Sequence, residues 1–218
     1  GDDTNEPISD TVRGILERED PARQWYPYDP PAKMLGKYID GVMFIGSENT
    51  ILLNKLRIGA DKAFIHCFGH IDDLAPKASS EKYIAYNLIM PVLFGARGVS
   101  YWWYPALKNR NGEARLLSER LFKGTRALAQ CAPAIVEEHP LPAWCSEIRG
   151  TGDVRYLPAT DGKTVWILAG VPESGKSGEL VLPVDAESIY GVKGAGKMFK
   201  FAAGDTAILC VKTVEDMK

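Results

Sequence analysis

The sequence predicts an α/β segment followed by an all-β segment, and three observations carry that reading. Short apolar runs alternate with amphipathic stretches up to about residue 136. A proline-rich hinge, HPLPAW (His139–Trp144), then interrupts the pattern. Beyond it the helical period disappears, and short extended segments are divided by Gly, Pro and Asp turns.

The elements follow in order. Residues 1–31, ending in QWYPYDPP, lack either period and read as an irregular segment. A helix over Ala32–Ile39 leads to Val42–Ile45, a continuous apolar run of the kind shown by a strand covered on both faces. Asn49–Ile58 is apolar at Ile51, Leu52, Leu53 and Leu56 and suits an amphipathic helix. Ala63–Phe68 is a second buried strand. Ser79–Phe94 is a helix capped by Ser79 or Ser80, with Pro91 kinking it near its last turn. Gly95-Ala96-Arg97-Gly98 turns into a third strand ending at Trp103. A long helix over about Glu113–Val136 places Leu116, Leu117, Leu121, Phe122, Leu128 and Ala129 on its apolar face.

Strands separated by helices must be parallel, because a hairpin cannot join adjacent parallel strands. The last part, 140–218, offers seven extended segments: 144–149, 154–158, 164–171, 179–183, 188–192, 197–201 and 207–212. That spacing predicts an antiparallel β-sandwich. The domains expected are therefore 32–139 and 140–218, after the irregular segment.

Composition excludes several functions. A chain of 218 residues, 45% hydrophobic and 25% charged, buries a real core. Its net charge of −2 and pI near 6.0 give no basic footprint, so nucleic acid is not an expected partner. No apolar run reaches the roughly 18 residues of a membrane helix. Cys67, Cys131, Cys145 and Cys210 form no C-x-x-C pair, so neither a zinc site nor a dithiol motif is expected. The polar, acidic opening GDDTNEP fits an exported, extracellular or periplasmic protein.

The stretch YNLIMPVLFGARGVSYWWYP (Tyr86–Pro105), followed by a long amphipathic helix and short strands, resembles the segment entering the eighth strand of (β/α)8-barrel glycoside hydrolases. The resemblance covers about Tyr38–Pro140 and implies the closing part of such a barrel with an appended carboxy-terminal β-sandwich. Only three barrel strands fit here, where a closed barrel needs eight. The expectation is a partial barrel, either the carboxy-terminal part of a larger hydrolase or a trimmed relative. Open edges would then be covered by self-association or by a missing amino-terminal segment.

The chemistry implied is O-glycosyl hydrolysis, or carbohydrate binding without catalysis if the carboxylate pair is incomplete. A sugar ring stacks on Trp or Tyr, its hydroxyls bind Asp, Glu, His and Asn, and cleavage needs two carboxylates about 5–10 Å apart. Glu48 follows the first strand and Asp72 the second, making them the candidate pair. Trp103, Tyr104, His66, His70 and Asn49 are the candidate substrate contacts. In the retaining clan the second of these strand ends carries a nucleophilic Glu, whereas here FIHCFGH carries His66 and His70. Plainer roles stand beside these. Glu48 is also placed to cap the following helix, and one of Trp102 and Trp103 must face the core. His66 and His70 have the H-x-x-x-H spacing of a metal pair, but that spacing works on a helix and not on a strand, so no metal or cofactor is expected. The stretch ESGKSGE lacks Walker spacing and reads as a turn.

Overall fold

The computed structural model describes Thr11, Gly14, Ile15, Arg18 and Glu19 and residues 41–45, 63–68, 80–101, 112–137 and 139–212. The chain divides into two compact units, Gly1–Phe68 with Phe94–Trp102, and Gly69–Leu93 with Trp103–Lys218.

The first unit holds a small parallel sheet of β1 (Gly41–Ile45), β2 (Ala63–Phe68) and β3 (Gly98–Tyr101), in that order. Adjacent, parallel pairing of these three runs is as the sequence predicts. The turn into β3 uses Gly95 at φ 90°, a left-handed conformation that a side chain would strain.

The second unit is built on one antiparallel sheet of six strands: β4 (Arg149–Gly150), β5 (Arg155–Thr160), β6 (Thr164–Gly170), β7 (Gly178–Gly191), β8 (Ala195–Phe201) and β9 (Thr206–Lys212). The order is β4-β7-β9-β6-β5, with β8 on the other side of β7. This corrects the expected fold class. The described residues do not form a parallel-strand barrel segment but a small parallel sheet and a larger, mainly antiparallel sheet that curls upon itself, an arrangement compatible with the expected sandwich.

The curl comes from β7. Its first half pairs with β4 and its second half with β9, while β8 pairs along the other side at Gly178–Val181 and again at Ala186 and Glu187. The sequence reads this strand as two, 179–183 and 188–192, because Pro183 interrupts it. Pairing with β8 does lapse between Val181 and Ala186, which is where a residue without an N–H is tolerated. The segment 144–149, expected as a strand, is a short 3-10 helix over Ala143–Glu147 leading into β4.

Curling closes a core. Val165, Ile167, Ala169, Ala207, Leu209 and Val211 from β6 and β9 meet Leu180, Leu182, Phe199 and Phe201 from β7 and β8. The opposite face of β6 and β9 is apolar as well, and Leu168 and Ile208 on it are fully buried. Two helices cover that face: α1 (Glu81–Leu93), packed on β6 and β9, and α2 (Gly112–Val136), packed on α1 and β5. Sequence reads these helices as crossovers of a parallel barrel, but their apolar faces are buried here by the antiparallel sheet. Ser80 caps α1, its hydroxyl accepting the Tyr83 N–H at 3.1 Å.

The buried face of α2 runs through Leu117, Leu121, Gly124, Ala127, Cys131 and Ala134. Leu116 and Phe122, expected in that stripe, are 45% and 53% exposed. Gly124 makes the close approach. A Cβ there would run into the Tyr190 hydroxyl and the Leu88 side chain, so α2 seats against β7 and α1 only without one.

Candidate functional site

The three parallel strands determine where functional side chains would gather. Ile45 pairs with Cys67, Cys67 with Ser100, and Phe68 with Tyr101. The three carboxyl ends are therefore level, and the chain leaves all of them along one edge of the sheet. In open parallel sheets that edge is where ligands bind.

Of the candidate residues, only His66 is among those described. It sits inside β2, level with Phe44 and Val99, and is 1% exposed, with Cys67 and Phe68 following it before the strand ends. Glu48, Asn49, His70, Asp72, Trp103 and Tyr104 lie outside the described residues. Each follows β1, β2 or β3 within a few positions in sequence. The sheet thus settles the direction in which the chain leaves the strands.

In the second unit several charged groups pair with one another. Lys82 bridges Asp205 at 2.8 Å and donates to the Ala203 carbonyl, tying the start of α1 to the turn before β9. Lys123 of α2 bridges Glu81 of α1 at 2.7 Å, and this hydrogen bond, outweighing partial desolvation, holds the Glu81 carboxyl below its usual range. Asp161 is held low by the backbone N–H groups of Thr164 and Lys163 in the β5–β6 turn, a structural role.

Two buried groups are chemically quiet. Burial pushes the Cys131 thiol up to about 12, so it stays protonated and unreactive. The Tyr190 hydroxyl is likewise pushed up, mainly by burial and then by the Glu81 charge. Among the described residues no group of three or more His, Cys, Asp or Glu side chains could hold a metal ion. Among them, too, no helix is long and apolar enough to cross a membrane. The turn Pro172–Ser177 contains the residues ESGKS, and there the Asp153 carboxylate accepts the Lys176 N–H at 2.6 Å. A carboxylate in that position occupies the donor that an anion would need.

No family model matches this chain, and no curated protein matches it. Among solved structures it is similar to a GH30 endoxylanase from Clostridium papyrosolvens C71, with a TM-score of 0.48 and 11% sequence identity. The match covers 94% of this chain and 61% of the other, so the chain spans less than two thirds of that enzyme's length. The likeness is a distant one to a glycoside hydrolase.

Proposed function

We propose that the protein is carbohydrate-active, an O-glycosyl hydrolase or the carboxy-terminal part of one, acting on a glycan along the edge where β1, β2 and β3 end. One observation carries the reading. The three strands are parallel with level ends, and the segments leaving them bring Glu48 and Asn49, His70 and Asp72, and Trp103 and Tyr104 in sequence order. In this reading Glu48 and Asp72 are the carboxylate pair, one protonating the leaving oxygen while the other acts as nucleophile or activates water. Substrate contacts are assigned to Trp103, Tyr104, His70 and Asn49, while His66, buried inside β2, takes no direct substrate contact; the protein works outside the cytoplasm. No metal or cofactor takes part.

The test is a screen of the purified protein against a panel of aryl glycosides and polysaccharides. Turnover that falls by orders of magnitude in both Glu48→Gln and Asp72→Asn supports hydrolysis. In the same panel Trp103→Ala is expected to weaken sugar binding roughly fivefold to tenfold, the size of one lost stacking contact, with little change in melting temperature. Turnover that survives both carboxylate substitutions overturns the assignment.

A second reading is carbohydrate binding without catalysis, and the stretch FIHCFGH favours it, since it offers His66 and His70 where a retaining enzyme of the resembled kind carries a carboxylate. Saturable glycan binding with no release of product would select it.

A further inference from the structure

A groove runs along the exposed side of α2 in the second unit. It has a volume of about 460 Å³ and is lined by Glu119, Phe122, Lys123, Arg126, Gln130 and Ile189, with Ala127 beneath. That is within the usual range for a site taking a small ligand or a few residues of peptide. We propose that this groove docks an acidic peptide segment that carries an apolar side chain.

Its walls are built by two unusual placements. Phe122 is 53% exposed on a helix whose other large apolar side chains include the buried Leu117 and Leu121. Ile189 stands at a bulge: pairing of β7 with β9 steps from Ser188 opposite Leu209 to Tyr190 opposite Ile208, leaving Ile189 as the extra residue. Bulges re-aim a side chain, and the Ser188 hydroxyl pins this one by donating to the Tyr190 and Val192 carbonyls. Phe122 and Ile189 together give the groove two apolar walls.

Charge then selects the occupant. Glu119 is paired with Arg115 at 2.8 Å, and Lys123 with Glu81 at 2.7 Å, so both are largely neutralised within the protein. Among the described residues no carboxylate pairs with Arg126. The groove is left with one guanidinium, one amide from Gln130 and two apolar walls. A peptide carboxylate answers the guanidinium in charge and geometry, a peptide group answers the amide, and an apolar side chain covers Phe122 and Ile189. A neutral sugar answers the aromatic ring but leaves the guanidinium without a counter-charge.

The test is fluorescence anisotropy with a fluorescein-labelled, end-blocked peptide of sequence Asp-Glu-Leu-Phe-Asp-Glu, alongside the same peptide with Asn and Gln replacing its acids. The acidic peptide is expected to bind, more weakly as salt rises, and the uncharged one to bind at least fivefold more weakly. Arg126→Gln and Phe122→Ala should each lower affinity roughly fivefold to tenfold, and Arg126→Lys should restore part of the loss. Both positions are exposed, so circular dichroism and melting temperature should be unchanged. Equal binding of the two peptides, no binding at millimolar protein, unaltered affinity in both variants, or displacement of the peptide by a neutral oligosaccharide that Arg126→Gln leaves intact would each overturn the proposal. The measurement does not involve the strand-end residues, so its outcome is independent of the function proposed above.

Discussion

The strands β2 and β6 share a run-on apolar character but have opposite kinds of neighbour. AFIHCF in β2 and TVWILAG in β6 are both continuous apolar runs, but β2 is flanked by parallel partners and β6 by antiparallel ones. A continuous apolar run reports that both faces of a strand are covered, and parallel sheets are only the commonest way to achieve that. In β6 and β9 the inner face meets the curled half of the same sheet, and the other face meets α1 and α2. Burial on two faces therefore does not establish direction.

The largest expected effect sharpens that comparison. Phe201 is 2% exposed in the closed core between the two halves of the curled sheet, and Phe201→Ala should cost about 3–5 kcal/mol. Val99, half-buried in β3, should lose only about 1 kcal/mol on truncation to Ala. Urea denaturation of the two variants checks this. Equal losses would mean that the parallel sheet is packed as tightly as the curled one, and the contrast between the units would fail.

A substitution of the wrong sign comes next. Replacing a glycine inside a helix by Ala ordinarily stabilises by about 1 kcal/mol. At Gly124 the added Cβ meets the Tyr190 hydroxyl and Leu88, both buried, so α2 must lift from the sheet. Gly124→Ala should therefore destabilise, by about 1–3 kcal/mol as for other overpacked sites. A stabilised variant would show that α2 is not seated on β7 as described.

Much of the local structure was legible. The bounds of β2 and the extents of α1 and α2 come directly from apolar period, a serine cap and a glycine turn, all properties of neighbouring residues. Partnership was not, since which surface an apolar helix face covers depends on segments far away in sequence. The runs TVWILAGV and TAILCV did carry the missing signal, being too apolar for a sandwich strand with one wet face, and that signal called for a covering layer. Phe122 was misplaced for a simpler reason: residue type was allowed to outweigh spacing, since Leu117 and Leu121 are four apart and share a face while Phe122 lies about 100° further round the helix. Of the candidate site, strand direction and level ends could be read, because they follow from the alternation of strand and helix. The choice of catalytic carboxylates rests on residue type and position alone.

The smallest effect concerns what holds the two covering helices together. Glu81 and Lys123 join α1 to α2, but their side chains are 39% and 54% exposed, so water screens the pair. If apolar packing carries the helix layer, Glu81→Gln should cost no more than about 0.5 kcal/mol at neutral pH. The pH dependence gives the sign. The Glu81 carboxyl is held below its ordinary value of 4.5 in the folded protein, chiefly by the hydrogen bond from Lys123. Its contribution is present in full above that ordinary value, and it is lost as pH falls through the lowered folded value, where the native carboxylate takes up its proton. The two proteins should thus differ slightly at pH 7, converge below pH 4.5, and converge also at high salt, where exposed pairs weaken. Lys123→Met should show the same small deficit at pH 7. A loss of several kcal/mol in either variant would instead make the ion pair, and not the apolar face on β6 and β9, the element that fixes the helices to the curled sheet.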